Sequence, residues 1–217
     1  WAVGHPERVI DYAYRSKHLV TVAAKGLIEA YYGRAATHSY FNSCSNGGRQ
    51  ALMEVQRYPG DFDGVVVGAP WNYQSHSNAG FVWSAQALSA TGAAIPTAKL
   101  PAIEAAAIAA CDATDGLVDG LIEEPNKCTF EPESLRCATV DSDDCLTEPQ
   151  VASLEKLYSG PKHPRTGASI FPGWAIGSER GWERWVVADG VTNLGRTYFS
   201  NLVFEDLNWD YRTFDFD

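Results

Sequence analysis

Residues 38–59 read HSYFNSCSNGGRQALMEVQRYP, and this stretch decides the fold of the N-terminal part of the chain. A tyrosine and a phenylalanine near its start predict a short strand over 38–42, because both side chains favour strands. The residues from Arg49 are compatible with a helix, which Pro59 ends. A strand that passes through a tight glycine-containing turn into a helix is typical of α/β folds.

The segments on either side continue this alternation. Apolar residues recur at helical spacing over 9–32, and Gly33 is placed to cap the end of that helix. On the other side, 62–68 contains three consecutive valines, the apolar run of a strand buried in a parallel sheet. The order helix, strand, turn, helix, strand therefore predicts an α/β fold with a mostly parallel sheet.

The turn between the strand and the helix has the pattern of a nucleophile elbow, in which a serine lies in a strained turn between small residues. Ser45 is the candidate nucleophile, and Ser43 and Gly47 are the small residues two positions away. The backbone N–H of Asn46 points into the start of the helix and could bind an oxyanion. An ordinary glycine-rich loop is the alternative, and the position of the turn between a strand and a helix favours the nucleophile.

The composition is that of a folded, acidic protein. Of the 217 residues, 45% are hydrophobic and 20% are charged, which excludes a disordered chain. The formal net charge is −10 and no cluster of lysine and arginine stands out, which argues against nucleic acid or an anionic membrane as partner. No stretch approaches the roughly 18 consecutive apolar residues of a transmembrane helix.

Five cysteines are present, and four of them lie within 111–145, an acidic segment. Because this segment has no C-x-x-C pair and no flanking histidines, it favours disulfides over a zinc site. Disulfides indicate an oxidising compartment, most simply the extracellular space. Cys44 stands alone, so we expect its partner to lie outside this sequence and the chain to be an internal fragment of a longer protein.

A short acidic loop is a candidate metal site. Asp112, Asp115 and Asp119 lie within eight residues, together with two glycines that let the chain curl. Carboxylates and backbone carbonyls in a tight loop suit calcium, although Gly116 and Leu117 exclude the spacing of an EF-hand. A solvated acidic turn is the alternative, and the mutual repulsion of three close carboxylates favours a bound cation.

Four segments resemble the tannase and feruloyl esterase family of α/β-hydrolases: CSNGGRQ (44–50), YP (58–59), DFDG (61–64) and GAP (68–70). The resemblance implies an α/β-hydrolase fold, here partial, with a mostly parallel sheet, a nucleophile elbow and a large inserted lid domain. We therefore expect residues 1–72 to belong to the catalytic domain and residues 73–217 to form a lid that is incomplete at its C-terminus.

The resemblance also implies a secreted serine carboxylic ester hydrolase that cleaves feruloyl or galloyl esters through an acyl-enzyme on Ser45. The expected substrate is a small aromatic ester or a feruloylated polysaccharide, as in the breakdown of plant cell walls or tannins. The alternative is a calcium-stabilised extracellular binding module without catalysis. An intact serine in an intact elbow favours the enzyme.

In that family a structural calcium ion occupies a lid loop like the acidic one, so the resemblance assigns ligands to it. By position, the side chains of Asp112, Asp115 and Asp119 and the backbone carbonyls of Leu117 and Leu121 would surround the ion. The role of the metal would be structural, because these ligands complete its shell and the nucleophile lies elsewhere.

The resemblance pairs the cysteines as well. It implies disulfides between Cys111 and Cys128 and between Cys137 and Cys145. It links Cys44 to a cysteine directly after the catalytic histidine, outside this sequence.

The chain lacks an evident general base for Ser45. Downstream of the serine only His76 and His163 occur. His76 follows the turn too closely, and His163 lies between two prolines of the expected lid. We therefore expect the catalytic aspartate and histidine beyond Asp217, and a further oxyanion residue before Trp1.

Overall fold

The sequence folds into two units in the computed structural model, which describes residues 1–187 and 189–217. The first unit comprises Trp1–Gln74 with Asn201–Leu207, and the second comprises Ser75–Ser200 with Asn208–Asp217. The chain first changes unit at Gln74, whereas the sequence places the boundary after residue 72. The return of 201–207 to the first unit has no signal in the sequence.

The first unit combines helices with a pair of strands. Its elements are α1 (Pro6–Ile10), a π-helical segment (Asp11–Arg15), α2 (Ser16–Tyr32), β1 (Tyr40–Cys44), α3 (Asn46–Arg57) and β2 (Gly64–Gly68). The helix predicted over 9–32 is confirmed, since α1 continues through the π-helical segment into α2. Gly33 ends it in the left-handed conformation, at φ 69°, as its position in the sequence predicts.

The two strands pair in parallel, with Tyr40 opposite Gly64 and Cys44 opposite Gly68. This pairing confirms the α/β alternation that the sequence predicts. β1 begins and ends two residues later than the predicted strand over 38–42, because its pairing with β2 continues to Cys44, the residue before the turn. Two parallel strands joined through α3 form a βαβ unit.

The second unit is helical. It contains α4 (Gln74–Ser89), α5 (Leu100–Cys111), α6 (Glu148–Ser159) and α7 (Asp189–Tyr198), with 3₁₀ turns at Thr97–Lys99, Asp112–Asp115, Pro125–Lys127, Pro132–Leu135, Glu179–Glu183 and Tyr211–Thr213. A π-helical segment at Phe199–Val203 begins in this unit and continues into the first at Asn201. A capping box opens α6, in which the Thr147 N–H donates to Gln150 Oε1 at 3.0 Å. Across the described residues, every helix is too short or too polar to span a lipid bilayer.

The core of the second unit is built on α5 and α6. Ile103 and Ala107 on α5 and Leu154 and Leu157 on α6 are completely buried, and Trp182 joins the same cluster. The spacing of three or four residues on each helix places these side chains on one face. Burial of this face against its neighbour stabilises the unit by about 25 cal/mol per Å² of apolar surface.

Two disulfides reinforce the irregular segment between α5 and α6. Cys111–Cys128 and Cys137–Cys145 are both formed, which confirms the predicted pairing. Lys99, buried, donates from Nζ to the carboxylate of Asp141 and, at 2.6 Å, to the carbonyl of Cys145. A disulfide typically contributes about 2–4 kcal/mol by restricting the unfolded chain, and here the buried ammonium group also fixes the smaller loop.

A buried carboxyl group on α3 distinguishes the first unit. Glu54 is 1% exposed, and no donor among the described residues bonds its two carboxyl oxygens. Burial raises the pKa of Glu54, the nearby carboxylate of Asp61 raises it further, and His18 and Lys17 lower it by less. Asp61 is itself engaged by His18, whose Nδ1 lies 2.7 Å from Asp61 Oδ2.

We expect the stability of the first unit to fall as the pH rises through the raised pKa of Glu54. The folded state binds this proton more tightly than the unfolded chain, so the contribution is complete below the unfolded pKa and is lost above the folded one. Glu54→Gln stays neutral at every pH, so its stability should lack this loss. Urea unfolding of wild type and variant between about pH 4 and pH 8 measures the difference.

The exposed Glu29 on α2 supplies the control, and Glu29→Gln should follow the wild-type curve. All other titratable groups are common to wild type and Glu54→Gln, so the comparison isolates position 54. Identical pH dependence of wild type and Glu54→Gln would contradict the raised pKa of Glu54.

Candidate active site

Ser45 alone makes the turn between β1 and α3. Its backbone lies at φ 58° and ψ −121°, in a region that residues other than glycine rarely adopt and that costs about 1–3 kcal/mol. The prediction that the helix begins at Arg49 is wrong, since α3 already begins at Asn46. The serine therefore lies between the last residue of the strand and the first residue of the helix, with its side chain exposed.

Two glycines make the turn sterically possible. A Cβ atom on Gly47 would lie 1.9 Å from Ser43 Oγ and 2.7 Å from Ser43 Cβ. A Cβ atom on Gly48 would lie 2.4 Å from the carbonyl oxygen of Gly68 and 2.9 Å from Pro70 Cα. All four distances are far below van der Waals contact, so neither position accepts a side chain without movement of its neighbours.

Backbone hydrogen bonds hold Ser45 on both sides. Its N–H donates to the carbonyl of Gly68 at 3.1 Å. Its carbonyl accepts from the N–H of Arg49 at 3.1 Å and from the N–H of Trp71 at 3.0 Å. Because these bonds involve the end of β2 and the loop that follows it, the strained conformation is maintained by the fold around it.

The start of α3 offers an anion-binding position beside Ser45. Among the described residues, none of the hydrogen bonds takes the N–H of Asn46, and this group begins a helix of 12 residues. Unpaired N–H groups and the helix dipole make such an N-terminus favourable for negative charge. The Ser45 hydroxyl thus lies next to a candidate anion-binding N–H, and the catalytic roles of Ser45 and Asn46 stay predictions.

Arg49 is a functional candidate whose role is not evident from the sequence, although it belongs to the CSNGGRQ motif (44–50). It is 6% exposed, and its Nε donates to Asn46 Oδ1 at 2.8 Å. Burial lowers the pKa of Arg49, and the nearby Tyr12 raises it by less. The spacing of three residues from Asn46 on one helix is the only sequence signal for this contact.

The histidines of the second unit are engaged in local contacts. The Nδ1 atom of His163 accepts from the N–H of Arg165 at 3.2 Å, and its Nε2 lies 3.4 Å from Asp217 Oδ1. Both ring nitrogens of His163 thus face partners within its own unit. His76 Nδ1 lies 3.2 Å from Ser75 Oγ. The interpretation that the general base lies outside this sequence stays a prediction.

Cys44 precedes the serine and is a free, exposed thiol in this structure. It is the last residue of β1, opposite Gly68 of β2. Its side chain therefore lies beside the turn that carries Ser45. The predicted disulfide to a cysteine outside the sequence stays a prediction.

The acidic loop is organised by its own backbone. The buried carboxylate of Asp112 accepts from the N–H groups of Asp119 and Gly120 at 3.1–3.3 Å. Asp115 Oδ1 accepts from Leu117 N–H at 2.8 Å, and Asp119 Oδ1 accepts from Leu121 N–H at 3.1 Å. A cavity of about 470 Å³ lies against this loop, with Asp115 and Asp119 in its lining.

The chemistry of this donor set suits calcium, since it combines carboxylates with backbone carbonyls in one loop. Ligands on one calcium ion lie within about 4.8 Å of one another, because each oxygen is roughly 2.4 Å from the metal. Among the described residues, the three aspartates do not form such a group. Binding of calcium by all of them would therefore require a side chain to turn from its present N–H partner.

One group of potential ligand atoms does lie within 4.8 Å, namely those of Cys137, Asp141 and Cys145. Its two sulfur atoms are joined in a disulfide, and Asp141 accepts from Lys99. A disulfide has no thiolate to offer a metal, so this cluster is a structural link in the oxidised protein.

Comparison with known proteins shows a family match. A family model described as tannase and feruloyl esterase matches residues 1–216. An uncharacterized esterase of Xanthomonas campestris is 38% identical over 229 residues, which cover 100% of this chain and 40% of the relative. A probable feruloyl esterase B-1 of Neosartorya fischeri is 33% identical over 219 residues, which cover 97% of this chain and 41% of the relative.

A solved structure has the same fold. The crystal structure of feruloyl esterase B from Aspergillus oryzae superposes with a TM-score of 0.78 at 31% identity, covering 95% of this chain and 42% of that chain. The chain thus spans about two fifths of the length of these relatives. The βαβ unit and the helices described above correspond to that part of them.

We expect Gly47→Ala to destabilise the turn, because its Cβ would overlap both side-chain atoms of Ser43. Overpacking of this kind costs about 1–3 kcal/mol. Ser43→Gly in the same chain removes both atoms, so the double variant should recover most of the lost free energy of unfolding. Denaturant unfolding of the full-length proteins measures both values.

Gly26→Ala on α2 is the matched control, since nothing lies within 4 Å of its added Cβ. It should stabilise the protein by about 0.5–1 kcal/mol, as alanine does in an exposed helix. A Gly47→Ala protein as stable as wild type, or a double variant no better than the single one, would show that the steric argument fails.

Proposed function

This chain belongs to the tannase and feruloyl esterase family. On that basis we propose that it is part of a carboxylic ester hydrolase that cleaves phenolic esters with Ser45 as nucleophile. The observation that carries the proposal is the backbone of Ser45, at φ 58° and ψ −121°, directly before the N-terminus of α3. Such strain persists where a function depends on it. It leaves a hydroxyl exposed next to an anion-binding N–H.

In the proposed reaction Ser45 Oγ attacks the carbonyl carbon of the ester while its proton passes to a general base. The negative charge that develops on the carbonyl oxygen lies toward the N–H of Asn46 and the positive end of the α3 dipole. The carbonyl re-forms as the bond between the former carbonyl carbon and the alcohol oxygen breaks, the base gives its proton to that oxygen, and the alcohol leaves an acyl-enzyme on Ser45. Water attacks the acyl-enzyme by the same route and releases the acid.

The general base and its orienting acid are proposed to come from residues outside this sequence, because His163 has both nitrogens engaged. The exposed thiol of Cys44 then forms a disulfide with a cysteine next to that histidine. A covalent link adjacent to the nucleophile would hold the base within hydrogen-bond distance, roughly 3 Å, of Ser45 Oγ.

The proposed substrates are feruloyl or galloyl esters, either small aromatic esters or feruloylated polysaccharides. Names of relatives support this class, since the chain matches a probable feruloyl esterase B-1 and a feruloyl esterase B. The net charge of −10 disfavours polyanionic partners such as nucleic acid. We assign the second unit the role of the lid domain that the family resemblance implies.

Secretion is part of the same proposal. Two disulfides are formed within one segment of 35 residues, 111–145. Disulfides persist in oxidising compartments, so an extracellular location fits them best.

We also propose that the acidic loop binds a structural calcium ion through Asp112, Asp115 and Asp119, with the carbonyls of Leu117 and Leu121. The donor set supports it, although the carboxylates would have to converge further than they do here. Calcium bound there would cross-link the start and the end of the loop. No step of ester cleavage depends on it.

Ser45→Ala tests the proposed nucleophile. In the full-length protein it should abolish release of acid from methyl ferulate and methyl gallate, with the melting temperature unchanged because only one exposed hydroxyl is lost. The exposed Ser89 at the end of α4 supplies the control, and Ser89→Ala should keep wild-type rates. Turnover by Ser45→Ala near the wild-type rate would rule out this mechanism and favour a binding role for the turn.

Calcium removal tests the loop. EDTA should lower the melting temperature of the wild-type protein, because a ligand bound only to the folded state stabilises it. Asp115→Asn keeps the acceptor for the Leu117 N–H but removes the charge, so it should reduce the EDTA-dependent shift without breaking the turn. Asp143→Asn, in an exposed position outside the loop, should retain the full shift. A wild-type melting temperature that EDTA leaves unchanged would mean that the loop holds no calcium.

A further inference from the structure

Arg49 is a buried charge in the first turn of α3, and each arm of its guanidinium group has a partner. Nε donates to Asn46 Oδ1 at 2.8 Å, one Nη donates to the carbonyl of Ala13 at 2.9 Å, and the other donates to the carbonyl of Tyr12 at 3.0 Å. The ring of Tyr12 lies 4.6 Å from the guanidinium carbon. A planar fork with several fixed acceptors loses its geometry if lysine replaces it.

Two of these acceptors belong to the π-helical segment at Asp11–Arg15. A π-helical turn displaces the regular ladder of backbone bonds, which makes its carbonyls accessible to side-chain donors, and such turns are frequent at functional sites. Arg49 therefore connects Asn46, the residue after the nucleophile, to the π-helical segment, and its partner Ala13 lies 36 residues before Arg49 in the chain. The Tyr12 hydroxyl in turn accepts from Gln74 Nε2 at 3.0 Å, which fixes the ring beneath the cation.

The third acceptor is the side chain of Asn46. An asparagine at a helix N-terminus readily accepts hydrogen bonds from backbone N–H groups of the first turn through Oδ1. Such a bond would place a carbonyl dipole against the donors needed by an oxyanion. In this structure Oδ1 accepts from Arg49 instead, and the Asn46 N–H has no partner among the described residues.

We propose that Arg49 is a positioning residue for ester cleavage: it holds the Asn46 side chain away from the anion-binding N–H groups and ties the start of α3 to the π-helical segment. This inference rests on the proposed function, since it concerns the oxyanion site beside Ser45. Arg49 touches neither the nucleophile side chain nor the substrate position. Its effect is on the turnover number rather than on substrate affinity.

A comparison within α3 separates this role from general packing. Arg57 lies two turns further along the helix, with its guanidinium carbon 4.2 Å from the centre of the Tyr14 ring. It thus makes a cation–π contact with the same π-helical segment, but it is exposed and lies far along the helix from Asn46. Arg57→Ala is the matched control for Arg49→Ala.

The test measures kcat and KM of the full-length protein on methyl ferulate, below the melting temperature of each variant. Arg49→Ala should lower kcat about 10²-fold with little change in KM, as a small misplacement of catalytic groups does. Arg49→Lys should recover only part of the loss, and Arg57→Ala should keep wild-type kinetics. Free guanidinium ion, far below denaturing concentrations, should partly restore Arg49→Ala and leave Arg57→Ala unaffected.

A double-mutant cycle with Asn46→Ala identifies the route. Removing the asparagine side chain leaves the N–H in place, so the further loss from Arg49→Ala in that background should shrink below about tenfold. If Arg49→Ala does not fold, the cycle is run with Arg49→Lys. Wild-type kcat in the Arg49 variants, or equal losses in both backgrounds, would overturn the proposal.

Failure of the positioning role and failure of the proposed function give different results. Ser45→Ala, measured alongside, reports on the proposed function alone. Loss of activity in Ser45→Ala with full kcat in the Arg49 variants would refute only the positioning role. Retained activity in Ser45→Ala would refute the proposed function itself.

Discussion

The close approach of α3 to the end of β2 is the constraint on which the first unit depends. At Gly48 the helix backbone lies so near the carbonyl of Gly68 that even a methyl group would be only 2.4 Å away. The chain therefore has to leave β1 and enter α3 within a single residue. That residue, Ser45, takes the strain, and its carbonyl and N–H are held by Trp71 and Gly68. The exposure of the Ser45 hydroxyl therefore follows from the packing of α3 against β2 rather than from a conformational preference of serine.

Much of this arrangement can be predicted from the sequence, because small residues flank Ser45 and the run of valines marks β2. The burial predicted for that strand is wrong for this chain, since Val66 is 61% exposed and its neighbours are only partly buried. The start of α3 is mispredicted at Arg49 since glycines are poor helix formers, and local propensity places them in a loop. Tertiary packing overrides this preference, because only glycine fits between the helix and β2.

The contacts of Arg49 and Glu54 could not be predicted, since their partners lie far away in the chain. Nothing near Arg49 indicates that the carbonyls of Tyr12 and Ala13 are accessible, because a π-helical turn has no sequence signature of its own. Glu54 occupies a position on α3 that its charge would place on the surface. Its surroundings, with Asp61, His18 and Lys17 close by, form only once distant segments of the chain are brought together.

In the second unit, the family resemblance predicts a disulfide pairing that the spacing of the cysteines alone does not determine. Four close cysteines allow three pairings, and the pairing of Cys111 with Cys128 and of Cys137 with Cys145 follows from the resemblance. The burial of Lys99 has no such signal, because a lysine at the start of a helix usually faces solvent. The acidic loop illustrates the same limit, since repulsion between carboxylates suggests a cation, whereas Asp112 satisfies its charge with backbone N–H groups.

The side chain of Ser43 and the missing side chain of Gly47 occupy one shared volume. Only the sum of the two is limited by the turn, and so the positions are not independent during evolution. Among related sequences the two positions are expected to covary. A side chain at position 43 is permitted where position 47 is glycine, and a side chain at position 47 requires glycine at position 43. A search that demands glycine at both positions would pass over chains of this kind, while one that scores the pair jointly would retain them.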